Sequence, residues 1–404
     1  MPLTRKQPLT NRLDIGVICA VNTSNTTHNS PLIFISACEA SGDKHAAPLI
    51  TQIRKQIPKA HITGVGGANM ANAGCDLLKN TVEKSAMGFA IFGKLGLFLA
   101  LLKYIKGQLA ETKPDIVVVI DSFAFNSHIA KHARKLGIPV LYYIAPQLWA
   151  WAPWRIGKLK KSASRVASIF PFEAKWYAER NFKADYVGNP LFDHDADCPP
   201  ETVVSPINAH GGSPLISLLP GSRQQEIDRL WVPMQSIALN ILGKYPNARF
   251  YSTAVDTKMA EQLRQNCNPT LGVEITTESI ESITTSCDLC LVASGTATLQ
   301  VATTLCPMIV MYYISPLVWH TLGKLLLRTD HISLVNILAQ KEIVPEVIPF
   351  HKQQAVVTQK ALEILGDKKL QAKIKADIKE AITPLNQPGA ASNTTGIIIE
   401  MLGL

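Results

Sequence analysis

PDIVVVIDSFAFN, residues 114–126, is the stretch on which the fold turns. Pro114-Asp115 introduces Ile116–Ile120, a continuous branched apolar run with no polar alternation. Such a run predicts a parallel strand covered on both faces. Asp121 and Ser122 then fall at its carboxyl end. Outward from it, PLIFISAC (31–38) reads as another buried strand, followed by Ala46, Ile50, Ile53 and Ile57 on one helix face. ITGVGG (62–67), VLYYIA (140–145), VASIF (166–170) and ADYVG (184–188) continue the alternation. A second series begins at LISLLP (215–220). A helix follows with Ile227, Leu230, Trp231, Met234, Ile237, Ala238 and Ile241 on one side, then ARFYSTAV, VEITTE, DLCLVAS and CPMIVMYYI. Two strand–helix series predict an α/β protein of two doubly wound, Rossmann-like domains facing each other across a cleft.

The chain has 404 residues, enough for two domains of ordinary size. With 47% hydrophobic and 18% charged residues it can build cores, which excludes a mainly disordered chain. Its net charge of +9 points to an anionic partner, a nucleotide, a phospholipid surface or nucleic acid, without choosing among them. Residues 1–30 carry no signal-peptide pattern and are expected to form a loosely ordered extension. A Pro-, Gly- and Asp-rich stretch, 193–214, marks the linker. The expected layout is a first domain over 31–200, a second over 201–385, and a C-terminal helix, 386–404, folding back on the first. The scattered cysteines read as buried thiols, and the lone C-x-x-C of Cys287 and Cys290 lacks the second ligand pair that zinc requires, so no metal is expected.

Ligands of open α/β sheets bind beyond the carboxyl ends of the strands. After the first strand stand Glu39 and Asp43, separated by Ala-Ser-Gly. Either carboxylate can take a proton or orient a hydroxyl. Capping of the following helix explains Asp43 equally well but leaves Glu39 unexplained. Asp121, after IVVVI, is a candidate for the same crevice. Gly221-Ser222-Arg223 opens the long helix of the second domain with amides, a hydroxyl and a guanidinium that suit a phosphate. Ser294-Gly295-Thr296 forms a second such turn. Neither G-x-x-x-x-G-K-[ST] nor an early G-x-G-x-x-G occurs, which argues against a P-loop kinase or a nicotinamide enzyme. Carboxylates in one domain and anion cradles in the other predict a nucleotide-sugar transferase.

Ten motifs in order carry a family resemblance: CEASGDKHA, GVGGANMANAGCDLL, AMGF, PDIVVVID followed by FN, GIPVLYYIAPQLWAW, FPFEAKWY, VGNPL, LLPGSRQQEI, ASGTATLQVA and SLVNILAQKEIVPE. From about Leu32 to about Val347 the chain resembles lipid-A-disaccharide synthase, a glycosyltransferase of GT-B architecture. The resemblance implies inverting transfer of 2,3-diacylglucosamine from UDP to 2,3-diacylglucosamine 1-phosphate, without metal or other cofactor. It also implies a place on the cytoplasmic face of the inner membrane, an anionic membrane surface and a homodimer as partners, and no nucleic acid. Arg223 matches the nucleotide-binding arginine, and Asn336 and Glu342 match positions near the nucleotide. Four family positions differ. Ala124 stands where an Asp linked to catalysis precedes Phe-Asn, Ile91 replaces a Glu, Asn189 a His and Gln300 a Glu. Asp121 is the expected substitute for the missing Asp. A paralogue that binds without turnover, and a UDP-sugar epimerase of the same architecture, are the competing functions.

FAIFGKLGLFLALLKYI (89–105) is too short and too charged to span a bilayer, and a core helix is the ordinary reading. With acylated substrates implied, it is expected to touch the membrane through Phe89, Phe92, Leu97, Phe98, Leu101 and Leu102. Trp149, Trp151 and Trp154 precede a basic stretch. Packing ranks first for them, anionic lipid second and single-stranded nucleic acid last.

Overall fold

A computed structural model describes residues 30–82, 91–193, 213–314, 331–350 and 353–404. The first sheet holds β1 (Leu32–Ser36), β2 (His61–Gly66), β3 (Asp76–Asn80), β4 (Ile116–Ile120), β5 (Val140–Tyr143), β6 (Arg165–Ser168) and β7 (Ala184–Tyr186). Its order is β3-β2-β1-β4-β5-β6-β7, with every pair parallel. The second holds β8 (Leu215–Leu219), β9 (Arg249–Thr253), β10 (Glu274–Thr276), β11 (Leu289–Ala293), β12 (Met308–Met311) and β13 (Glu346–Val347). These run in the order β10-β9-β8-β11-β12-β13, again all parallel.

The apolar run that suggested this fold behaves as its composition requires. Ile116, Val118 and Ile120 pack on one side of the first sheet, in a core completed by the helices Ala40–Gln56 and Ala390–Leu402. Val117 and Val119 pack on the other, against the helices Ile91–Thr112 and Phe123–Lys135. A polar residue at any of the five positions would lose its water on one face or the other. Trp149, Phe170 and Phe192 of the first domain join the core of the second, so one apolar cluster crosses between the domains. The buried Glu173 accepts from the Trp149 indole at 2.9 Å and from the Ile169 and Phe170 amides.

The C-terminal helix Ala390–Leu402 packs on the first domain, with Ile397 and Ile398 in its core. Asp193 caps it, accepting from the amides of Gly389, Ala390 and Ala391. Near its other end, Glu400 pairs with Arg165 at 2.6 Å, and Arg165 also holds Asp185. The expected extension and most of the expected linker lie outside the described residues.

The helix Ile91–Thr112 corrects part of the membrane reading. Leu102 is buried, and Phe98 and Leu101 pack against the same core, Phe98 edge-on to Phe125 at 5.1 Å. Leu97 and Leu99 are the exposed apolar residues, with Tyr104 beyond them. One face of the helix is therefore core, set by Leu102, Ile105 and Leu109 at helical spacing. Phe89 and the side chain of Phe92 lie outside the described residues. Among the described residues no helix is long and apolar enough to cross a membrane. Trp149 is packed, Trp154 is exposed, and the side chain of Trp151 lies outside the described residues.

Candidate active site

Each sheet reverses its strand order once, between β1 and β4 in the first and between β8 and β11 in the second. A crevice opens at such a point, because the connections from the two strands leave in opposite directions. The four segments singled out in the sequence follow these four strands: Glu39 after β1, Asp121 after β4, Gly221–Arg223 after β8 and Ser294–Thr296 after β11.

In the first domain, Glu39 is exposed at the start of the helix Ala40–Gln56 and makes no capping bond. It accepts instead from Ser122 Oγ at 2.9 Å, joining the two strand ends. Asp121 and Ser122 both adopt left-handed backbone, with φ of 51° and 44°. Two consecutive non-glycine residues in that region cost about 1–3 kcal/mol each. The Asp121 carbonyl is held there by donors from Asn126 Nδ2 at 2.9 Å and Tyr142 Oη at 2.8 Å. Asn126 is itself fixed by Ser36 Oγ. Burial raises the Asp121 carboxyl above its usual range. The Ser122 amide opposes that rise, Glu39 adds to it, and Arg223 of the second domain lowers it. The neighbouring Cys38 thiol is pushed up to about 12, chiefly by burial, and stays protonated.

Asp43 is placed differently. Its carboxylate is 2% exposed and accepts from the amides of Gly67 (2.8 Å), Asn69 (3.1 Å) and Met70 (3.1 Å), and from Asn69 Nδ2 (2.8 Å). It caps the helix Ala68–Asn72, a different helix from its own. A Cβ at Gly67 would lie 2.5 Å from Asp43 Oδ2, so glycine is what admits the carboxylate.

In the second domain, Glu226 modifies the expected cradle. Its Oε2 accepts from the Ser222 and Arg223 amides at 3.1 and 3.2 Å, and its Oε1 pairs with the Arg223 guanidinium at 3.1 Å. Those two amides are therefore committed to Glu226, leaving the Ser222 hydroxyl and the exposed guanidinium as the groups facing solvent. Gly221 has φ of 110°, and a Cβ there would lie 2.3 Å from Glu226 Oε2. At the other turn the first intrahelical bond is donated by Thr298 to the Gly295 carbonyl. The amides of Gly295, Thr296 and Ala297 precede it, as at any helix start.

A cavity of about 630 Å³, within the usual size range of small-molecule sites, opens against the Gly221–Arg223 and Ser294–Thr296 turns; Glu39, Asp43 and Asp121 do not line it. Gly221, Ser222, Arg223, Ser294, Gly295, Thr296 and Gln300 line it from the second domain, and Lys44 and Gln147 from the first. Gln300 donates to Glu281 at 2.9 Å. The structure does not bring Asn336 or Glu342 into this wall. Asn336 is buried, holding the Ile343 and Val344 amides, the Val344 carbonyl and Glu346, and Glu342 is exposed. Asn336 instead steadies the segment around Ile332 and Leu334, which do line the cavity. Lys44, Gln147, Glu226, Thr253 at the end of β9 and Glu278 beyond β10 escaped the sequence reading. Glu226 had a signal, its position three residues into the helix after Arg223, the spacing of a capping box.

The family model for Lipid-A-disaccharide synthetase matches residues 33–400. The lipid-A-disaccharide synthase of Geobacter sulfurreducens is 31% identical over 387 residues, covering 94% of this chain and 99% of that one. The synthase of Neisseria gonorrhoeae is 36% identical over 332 residues, covering 81% and 85%. Among solved structures, an S. aureus MnaA–UDP co-structure superposes with a TM-score of 0.63 at 14% identity, over 93% of this chain and 97% of that one. At that identity it speaks for the fold alone, a GT-B pair of parallel-sheet domains. With a family match over most of the described chain, the protein belongs to the lipid-A-disaccharide synthase family of glycosyltransferases.

Proposed function

We propose that the protein transfers 2,3-diacylglucosamine from UDP to 2,3-diacylglucosamine 1-phosphate with inversion. UDP occupies the cavity against Ser222, Arg223 and the Ser294–Thr296 turn, and the acceptor lies on the first domain. The acceptor 6-hydroxyl oxygen forms the new bond to the anomeric carbon. The sugar–phosphate bond breaks with its electron pair leaving on UDP, and the hydroxyl proton passes to the Asp121 carboxylate. The Ser122 amide donates to that carboxylate while its hydroxyl ties Glu39 beside it, and Asp43 and Asn336 act only by positioning backbone. The observation that carries the reading is the pairing of sites at two strand-order reversals, one in each sheet. The exposed Leu97 and Leu99 support contact with the cytoplasmic face of the inner membrane, where acylated substrates reside.

Purified protein incubated with both diacyl substrates should yield the tetraacyl disaccharide phosphate and an equal amount of UDP. Ala124 favours one second reading, a protein that binds UDP-sugar or lipid with little turnover. UDP binding without product in that incubation would select it.

A further inference from the structure

Among the described residues, four charged ones line the cavity: Lys44, Arg223, Glu226 and Glu278. Arg223 is already paired with Glu226, whose carboxylate also holds the two amides beside it. Glu278 brings a second negative charge. A diphosphate entering this wall would meet one committed cation and two carboxylates, a poor balance for an anion. Lys44 is the remaining cation among the described lining residues. It is exposed, and among the described residues it enters no ion pair. It comes from the opposite domain, on the helix Ala40–Gln56, five residues after Glu39. Its backbone is well anchored, because the adjacent Asp43 is locked by four hydrogen bonds to Gly67, Asn69 and Met70. The neighbouring His45 supplies no competing charge near neutral pH, since burial, aided by Lys44, lowers its pKa. A cation this near a helix N-terminus gains nothing from the helix dipole, so the helix itself gives no reason for its presence.

We propose that Lys44 binds the donor's diphosphate from the first domain, opposite Arg223, so that nucleotide binding draws on a charge from each side of the cleft. This rests on the reading of the cavity as the UDP site and adds a residue to it. The ammonium adds to the neutralisation that Arg223, shared with Glu226, gives only in part. Removing Lys44 then weakens nucleotides in proportion to their phosphates and leaves the nucleoside unaffected.

The test is calorimetric titration of the full chain and of Lys44→Gln, Lys44→Arg and Arg223→Ala with UDP, UMP and uridine, at low and high salt. Lys44→Gln should weaken UDP by about 10-fold, the scale of one charge-assisted contact, and leave uridine unchanged. It should also flatten the salt dependence of UDP binding. Lys44→Arg should recover most of the affinity. Wild-type UDP affinity in Lys44→Gln, with loss in Arg223→Ala, would overturn the role of Lys44 and leave the UDP site standing. An equal loss for uridine would overturn it too, as a distortion of the site. Failure of the wild type to bind UDP would remove the site reading and this inference together.

Discussion

Asp121 is held by its backbone more firmly than by its carboxylate. Asn126 and Tyr142 clamp its carbonyl in a conformation that its residue type disfavours, and the carboxyl, raised by burial, has Arg223 for a distant counter-charge. General-base help is typically worth about 10²–10⁴-fold in rate. Asp121→Asn should therefore lower turnover by at least about 100-fold, with UDP affinity unchanged in titration. Full activity in that variant would leave Glu39 as the base. The base works deprotonated, so activity should fall as pH drops through its raised pKa. The acid limb of a kcat profile then begins above the usual aspartate value of 3.8. Ala124 is exposed near the start of the helix Phe123–Lys135. Ala124→Asp should not lower turnover, and a large gain from a near-background wild type would favour the weak paralogue. Across the cleft, Arg223→Ala should raise the UDP dissociation constant about 10-fold, as loss of a charge-assisted contact would.

The helix Ile91–Thr112 separates two roles around its circumference. Leu97→Ser with Leu99→Ser should release the protein from anionic vesicles in a flotation assay and leave the melting curve unchanged. Leu102→Ser should instead cost about 3 kcal/mol or more in urea unfolding, by cavity formation and a buried hydroxyl. Loss of fold in the first variant would make the whole helix core. The strands were legible because IVVVI, LIFIS and LCLVA are short, branched and closed by polar residues. The strand-end rule singled out Glu39, Asp121, Arg223 and Ser294, of which Arg223 and Ser294 line the cavity. It could not show which side of the Ile91–Thr112 helix is covered, because apolar residues fall on more than one side of it. Nor could it show that Asp43 would turn to the next helix, or that Glu226 would take two amides. Those are tertiary choices, made by where Gly67 and Gly221 leave room. Lys44 was missed because a lysine on a helix near its start has no pattern until the opposing domain is in place.

Across the whole molecule, the domains share an apolar cluster through Trp149, Phe170 and Phe192, and the C-terminal helix belongs to the first domain. Asp193→Ala should cost about 1–2 kcal/mol, as loss of a helix cap does, read as a lower urea midpoint. Asp193 also sets the topology. It bonds the amides of Gly389, Ala390 and Ala391, so the point where the chain leaves the first domain touches the point where it returns. Residues 194–388 are thus spliced into a host whose two cut ends already meet. A few glycines and serines can span that gap, and a chain joined this way should keep the seven-stranded sheet with its own closing helix. Trp149, Phe170 and Phe192 would lose their cover and need polar replacements. The seven-stranded half would then be a separable module, open to binding studies of the proposed acceptor without the other half.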